Sequence, residues 1–194
     1  MNKVDIVERQ IGYAGWMTLS VVSFRLGDGR IMRREIVEHG RAVCVLPYDA
    51  ARRTALLVRQ LRAPVFLAAR ETLLLEAIAG MIDDGDAAMT ARREALEEAG
   101  LRLGELEPVA VAWPSPGILT ERVALFLASY CASDRVGAGG GLAEEHEEIE
   151  VVELPLDELA GLADTGALSD MKTLALVQTL RLRRPGLFEA GTRP

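Results

Sequence analysis

Three glutamates lie close together in the stretch Arg93-Glu94-Ala95-Leu96-Glu97-Glu98-Ala99-Gly100. On a helix, Glu94, Glu97 and Glu98 stand at i, i+3 and i+4 and share one face. Like charges at that spacing repel, so something cationic is expected to compensate. Arg92 and Arg93 offset part of the repulsion; a divalent metal would do so more completely. Oxygen-only ligands suit Mg²⁺, with Mn²⁺ as a substitute. A second acidic concentration, Glu144-Glu145-His146-Glu147-Glu148-Ile149-Glu150, follows the glycine-rich run 137–141 and precedes an apolar segment. A loop of that kind is expected to move, and a mobile acidic loop is where a general base on a lid would sit. Solvated polar surface has the same composition, so the rest of the chain has to decide between the two readings.

The elements that must position these residues are legible as a mixed series. Segments 16–38 read as a hairpin around Gly27-Asp28-Gly29, because Asp-Gly is a strong tight-turn signal. Strands are expected over 42–48, 54–61, 106–113, 122–130 and 149–154, with a short apolar segment over 73–78. The Ala-, Glu- and Arg-rich stretch 87–99 reads as a helix, and Gly100 stands where a C-cap glycine belongs. Two more helices are expected, one entered through Pro155 and Asp157 and one over about 170–183. There is no regular βαβ repeat, so the expected class is α+β.

Composition narrows the function classes. The chain has 194 residues, 49% apolar and 26% charged, with a net charge of −7. That is ordinary globular composition and enough chain for a real core. The acidic balance argues against nucleic-acid binding, although a metal ion can still bridge acids to phosphates. No apolar run reaches the ~18 residues of a membrane span. The charged start MNKVDIVERQ carries no signal-peptide core, and the two isolated cysteines, Cys44 and Cys131, fit no metal spacing. A reduced, cytoplasmic protein is expected.

Gly80-Met81-Ile82-Asp83-Asp84-Gly85-Asp86, six residues, then Arg93-Glu94-Ala95-Leu96-Glu97-Glu98-Ala99-Gly100-Leu101 resembles a Nudix box. That pattern is glycine, five residues, Glu, seven residues, then Arg-Glu-apolar-x-Glu-Glu-x-Gly-apolar. Asp86 replaces the first Glu, and the spacer to Arg93 is one residue short. Further segments are similar to the ADP-ribose and GDP-mannose pyrophosphatase branch of the Nudix hydrolases over about residues 15–180. They include Arg33-Arg34-Glu35-Ile36, Val58-Arg59-Gln60-Leu61-Arg62, Ser115-Pro116-Gly117 and Thr120-Glu121. The shortened box, Ala138-Gly139-Gly140-Gly141 and Asp170-Met171-Lys172-Thr173 resemble the GDP-mannose enzymes in particular.

The resemblance implies an α/β/α sandwich (residues 41–194) with an N-terminal antiparallel β-subdomain (residues 1–40) that serves dimerisation and base binding. It implies a homodimer that hydrolyses the pyrophosphate of a nucleoside diphosphate sugar with Mg²⁺. GDP-mannose is the first expectation and ADP-ribose the second; a non-catalytic nucleotide-sugar sensor is the rival from another class. Glu94, Glu97 and Glu98 are the implied metal ligands, with the backbone carbonyl of Ala79 and Glu147. Glu98 also counts as catalytic, and Glu145 is the implied base that activates water, ahead of His146. Arg34 and Arg62 match diphosphate-binding positions, with Arg59 a weaker candidate. Trp16 matches an aromatic that stacks on the base. Glu121 is implied at the sugar or a metal and Lys172 at the phosphate or sugar, and Arg93 is implied to orient the glutamates.

Overall fold

The computed structural model describes residues 3–83, 85–142 and 148–189. Among the described residues, ten strands and four α-helices alternate irregularly, an α+β fold. Strands β1 (Asp5–Ala14), β2 (Thr18–Arg25) and β3 (Ile31–Glu38) form an antiparallel three-stranded sheet in the order β1-β2-β3. The hairpin expected over 16–38 is β2 and β3. β1 has no clean alternation in sequence and is exposed along its whole length.

The second sheet runs in the order β10-β5-β4-β9-β8. Its strands are β4 (Arg41–Asp49), β5 (Thr54–Gln60), β8 (Glu107–Ala112), β9 (Arg122–Ser129) and β10 (Glu150–Pro155). The apolar segment expected over 73–78 is two short strands, β6 (Leu74–Glu76) and β7 (Ile78–Met81). β6 pairs with β5, and β7 with β4. β4 and β5 pair only at their hairpin end, Tyr48 with Ala55 and Asp49 with Thr54. Ala77 is thus the residue at which the chain changes neighbours. Its N–H leaves the ladder and donates to Thr173 Oγ1 at 2.7 Å.

The helices are α1 (Ala63–Ala69), α2 (Ala87–Ala99), α3 (Leu156–Thr165) and α4 (Met171–Arg183). α1 carries no sequence periodicity; it opens with a proline in its first turn and buries none of its residues. α2 packs on β7 and β5, and α3 on β10 and α4. Val43 and Val45 of β4 join Ala91, Ala95 and Ala99 of α2 in one buried cluster. Side chains alternate along a strand, so Cys44 points to the other face. There it meets the start of α4, with Lys172 and Asp170 in electrostatic reach, and burial pushes its thiol up. The sheet is therefore covered on both faces.

By contacts the chain divides into two units. One comprises Met1–Arg41 with Ala112–Val123, and the other Ala42–Val111 with Ala124–Pro194. Within the first, Val37 N–H donates to Ile118 O and Thr120 N–H to Val37 O, which ties the loop after β8 to β3. Among the described residues no helix is long and apolar enough to cross a membrane.

Thr173 satisfies the one backbone donor that the β6–β7 change of partner leaves without a strand. Thr173→Val is expected to lower stability by about 1–3 kcal/mol, the desolvation of an unmet buried donor. Thr173→Ser is expected to restore most of it, with urea unfolding as the measurement.

Candidate active site

α2 starts and stops at residues suited to those positions. Asp86 is its N-cap, and its carboxylate accepts from Met89 N–H at 2.8 Å. The Asp that departs from the box pattern is thus the cap that begins the helix after a shortened connection. Gly100 closes the helix in the left-handed region, φ 61°. Thr90, Ala91, Ala95, Glu98 and Ala99 form the buried side. The alanines let the helix come close to the sheet. At Gly80, in β7, a Cβ would lie 2.1 Å from the carboxyl carbon and Oε1 of Glu94. A side chain at Gly80 would therefore have to displace the Glu94 carboxylate from its place beside β7.

The three carboxylates differ in setting. Glu98 is 2% exposed, Glu94 is largely buried, and Glu97 is half-buried. Arg93 spans the outer two, donating from Nη2 to Glu94 Oε1 at 2.7 Å and from Nη1 to Glu97 Oε2 at 3.0 Å. This is the orienting role implied for Arg93. Among the described residues no three acidic, imidazole or thiol groups converge closely enough to hold a cation unaided. The donor chemistry nevertheless fits a hard divalent ion. Three carboxylates and a backbone carbonyl at Ala79 would offer oxygen donors only, and the missing side chain at Gly80 leaves room for the Glu94 carboxylate beside β7.

The glycine run 137–141 has a different place from that expected of a mobile hinge. It docks on the C-terminal end of α2. Gly140 N–H donates to Glu98 O at 2.9 Å and Gly141 N–H to Glu97 O at 3.3 Å. These bonds satisfy carbonyls that a helix end leaves open. At Gly139, φ +72°, a Cβ would lie 2.3 Å from Glu98 O. Ile149 N–H donates to Gly140 O at 3.3 Å, which joins the start of the segment leading into β10 to the glycine run. Glu145 and Glu147, like His146, lie outside the described residues.

Arg62 and Lys172 meet at Glu76, a buried carboxylate in β6 without a motif to announce it. Arg62 Nε donates to Glu76 Oε2 at 2.7 Å, and Lys172 Nζ lies 3.5 Å from Glu76 Oε1. Lys172 also donates to Asp170 Oδ1 at 2.8 Å, while Asp170 Oδ2 accepts from Thr173 N–H and Oγ1. Burial opposes the Asp170 carboxylate, but Lys172 and Thr173 outweigh it and hold its pKa below the ordinary range. Burial likewise opposes the Lys172 cation, and Asp170 outweighs it, so the lysine pKa is raised. Asp170 is also the N-cap of α4.

The remaining candidates lie in the first unit. Trp16, in the β1–β2 turn, is 79% exposed. Glu121 accepts from or shares a proton with His39 Nδ1 at 2.8 Å, and Trp16 meets the same imidazole edge-on, ring centroids 4.2 Å apart. Sequence reasoning passed over His39, because nothing in the local pattern announces a contact across 82 residues. Arg34 is exposed on β3, donates to Arg33 O and lines a cavity of about 480 Å³. Phe24, Met32, Ile36 and Trp113 share its wall with the loop 116–120.

A glutamate helix of this register, laid on a sheet beside a glycine strand, defines a Nudix-type hydrolase site. A family model described as the NUDIX domain matches residues 38–177, and the chain belongs to that family. Curated relatives match nearly end to end. A GDP-mannose pyrophosphatase of Pectobacterium atrosepticum is 38% identical, covering 98% of this chain and 99% of that protein. Its counterpart from Cronobacter sakazakii is 35% identical, covering 93% and 96%. A crystal structure titled as an ADP compounds hydrolase shares the fold, with a TM-score of 0.77 at 18% identity over 95% of both chains.

Two outcomes are expected. Gly80→Ala displaces Glu94 and weakens Mn²⁺ binding, measured by the loss of free-ion paramagnetic resonance, while the far-ultraviolet circular dichroism of the fold persists. The depressed pKa of Asp170 adds stability that is complete above the unfolded-state value of about 3.9 and is lost as pH falls through the folded value. The urea-unfolding free energies of wild type and Asp170→Asn therefore differ at pH 7 and converge in acid.

Proposed function

We propose that the chain is a Mg²⁺-dependent pyrophosphatase of nucleoside diphosphate sugars, acting on GDP-mannose to give GMP and mannose 1-phosphate. The carboxylate face of α2, held beside Ala79–Gly80 of β7, is the observation that carries the hydrolytic reading. The substrate assignment is supported by the named activity of the near full-length relatives. ADP-ribose, giving AMP and ribose 5-phosphate, is the second reading. Mg²⁺ bound by Glu94, Glu97, Glu98, the Ala79 carbonyl and Glu147 would neutralise the pyrophosphate charge that an acidic site otherwise repels.

The protein's own groups do the rest. Glu145 takes a proton from water as its oxygen attacks phosphorus. The bond from that phosphorus to the bridging oxygen breaks, and the second phosphate leaves with that oxygen. Glu98 is the least exposed of the three helix carboxylates, so packing rather than solvent sets its orientation. Arg34 and Arg62 present planar forks to phosphate oxygens. Arg62 keeps one nitrogen on Glu76, which pre-orients the fork before substrate arrives. Trp16 offers an exposed face to the base, Glu121 approaches the sugar or a metal, and Lys172 contacts phosphate or sugar.

A cytoplasmic homodimer completes the reading. The two described cysteines are free thiols, in keeping with a reducing compartment. β1 is a ten-residue edge strand exposing Ile6, Ile11 and Tyr13. Such an edge invites cover by another chain.

The test is an initial-rate panel of GDP-mannose, ADP-ribose, UDP-glucose and NADH with Mg²⁺, for wild type and Glu98→Gln. The expected result is the highest kcat/KM on GDP-mannose and a loss on the order of 10²–10³-fold in the variant. Higher kcat/KM on ADP-ribose would replace the first substrate by the second. Flat rates on all four, unchanged in the variant, would leave the box a binding device and favour a sensor.

A further inference from the structure

Trp16, His39 and Glu121 come from three separate stretches of the first unit: the β1–β2 turn, the segment after β3, and the loop that returns after β8. An indole that is 79% exposed has little packing to fix its ring. Its recorded ring partner is the imidazole of His39, at 4.2 Å and an interplanar angle of 72°. An edge-to-face pair of this kind is directional, because the ring edge is positive and the ring face negative. His39 itself is not loose. It is largely buried, and its Nδ1 is 2.8 Å from Glu121 Oε2, also largely buried. The loop carrying Glu121 is in turn fixed to β3 by the Val37–Ile118 and Thr120–Val37 backbone bonds and by the bridge between Val37 and Leu119.

The linkage therefore runs from a backbone-anchored loop, through a carboxylate and an imidazole, to an exposed aromatic face. A stacking platform binds a base best when its orientation is set beforehand, since ordering a free side chain on binding lowers affinity. We infer that His39 is a positioning residue for substrate binding: it holds Trp16 and Glu121 in one fixed arrangement, so that the base-stacking ring and the sugar-facing carboxylate are set together. The inference rests on the proposed roles of Trp16 and Glu121. His39 itself touches neither the reacting phosphorus nor the departing oxygen, so its removal acts on KM and leaves kcat nearly unchanged.

Three variants separate the two contacts. His39→Ala removes both. His39→Phe keeps an aromatic edge for Trp16 and loses the Glu121 partner. His39→Asn places an amide N–H where Nδ1 was and loses the ring. All are made on Trp113→Phe, so that Trp16 is the remaining tryptophan.

The first readout needs no substrate. In the free protein, time-resolved fluorescence anisotropy is expected to show greater ring motion of Trp16 in His39→Ala, restored by His39→Phe and not by His39→Asn. The second is steady-state hydrolysis of GDP-mannose. KM is expected to rise about tenfold in His39→Ala, with smaller rises in the other two and kcat within about twofold throughout. Unchanged anisotropy in His39→Ala overturns the inference, as does an unchanged KM or a parallel fall in kcat. If the wild-type protein does not hydrolyse GDP-mannose, the proposed substrate fails. GMP titration of Trp16 fluorescence then decides the positioning role, because equal quenching affinity with and without His39 would contradict it.

Discussion

α2 packs on β7, and its carboxylate face stands over the open side of Gly80. Glu94 lies in the space a side chain at Gly80 would take. The same close packing buries Ala91, Ala95 and Ala99 against Val43 and Val45. Glu98, on the same helix, is drawn almost completely out of solvent. Three like charges on a helix that packed less closely would spread into water and lose their common direction. Arg93 supplies the partial neutralisation that keeps the outer two aligned. The other end of the helix is fixed by glycines for the same steric reason. Gly139 and Gly140 lie on the carbonyls of the last turn.

A second constraint acts on the opposite face of the sheet. β6 and β7 exchange neighbours at Ala77, and Thr173 takes the displaced amide. Thr173 is held by Asp170, Asp170 by Lys172, and Lys172 and Arg62 converge on Glu76. Two buried carboxylates, Glu76 and Asp170, are thus each paired with a partly exposed cation. A buried charge is tolerable when paired and bonded in this way. Arg62 and Lys172 are thus held by the same network that takes up the Ala77 amide between β6 and β7.

Much of this was legible in the residues. The ends of α2 are encoded locally by Asp86 and Gly100, and its shared acidic face follows from helical spacing alone. The strand and helix order was legible because most elements are amphipathic or bounded by turn residues. α1 and β1 were not, since neither buries a side chain and so neither needs a periodic pattern. The glycine run 137–141 read as freedom of motion; its contacts with the α2 carbonyls are tertiary and leave no local mark. Glu76 and His39 were silent for a related reason. Each is a single polar residue whose partner lies far along the chain, at Lys172 and Glu121 respectively. Spacing rules see neighbours at three or four residues, not across 82.

The central claim is that the α2 carboxylates are a divalent-cation site rather than a solvated acidic face. Mn²⁺ titration followed by electron paramagnetic resonance, on wild type and Glu98→Gln, tests it directly. A bound population in wild type that is lost or strongly weakened in the variant, with the same urea midpoint for both proteins, is the predicted result. Equal Mn²⁺ binding by the two proteins, or none by either, would contradict it.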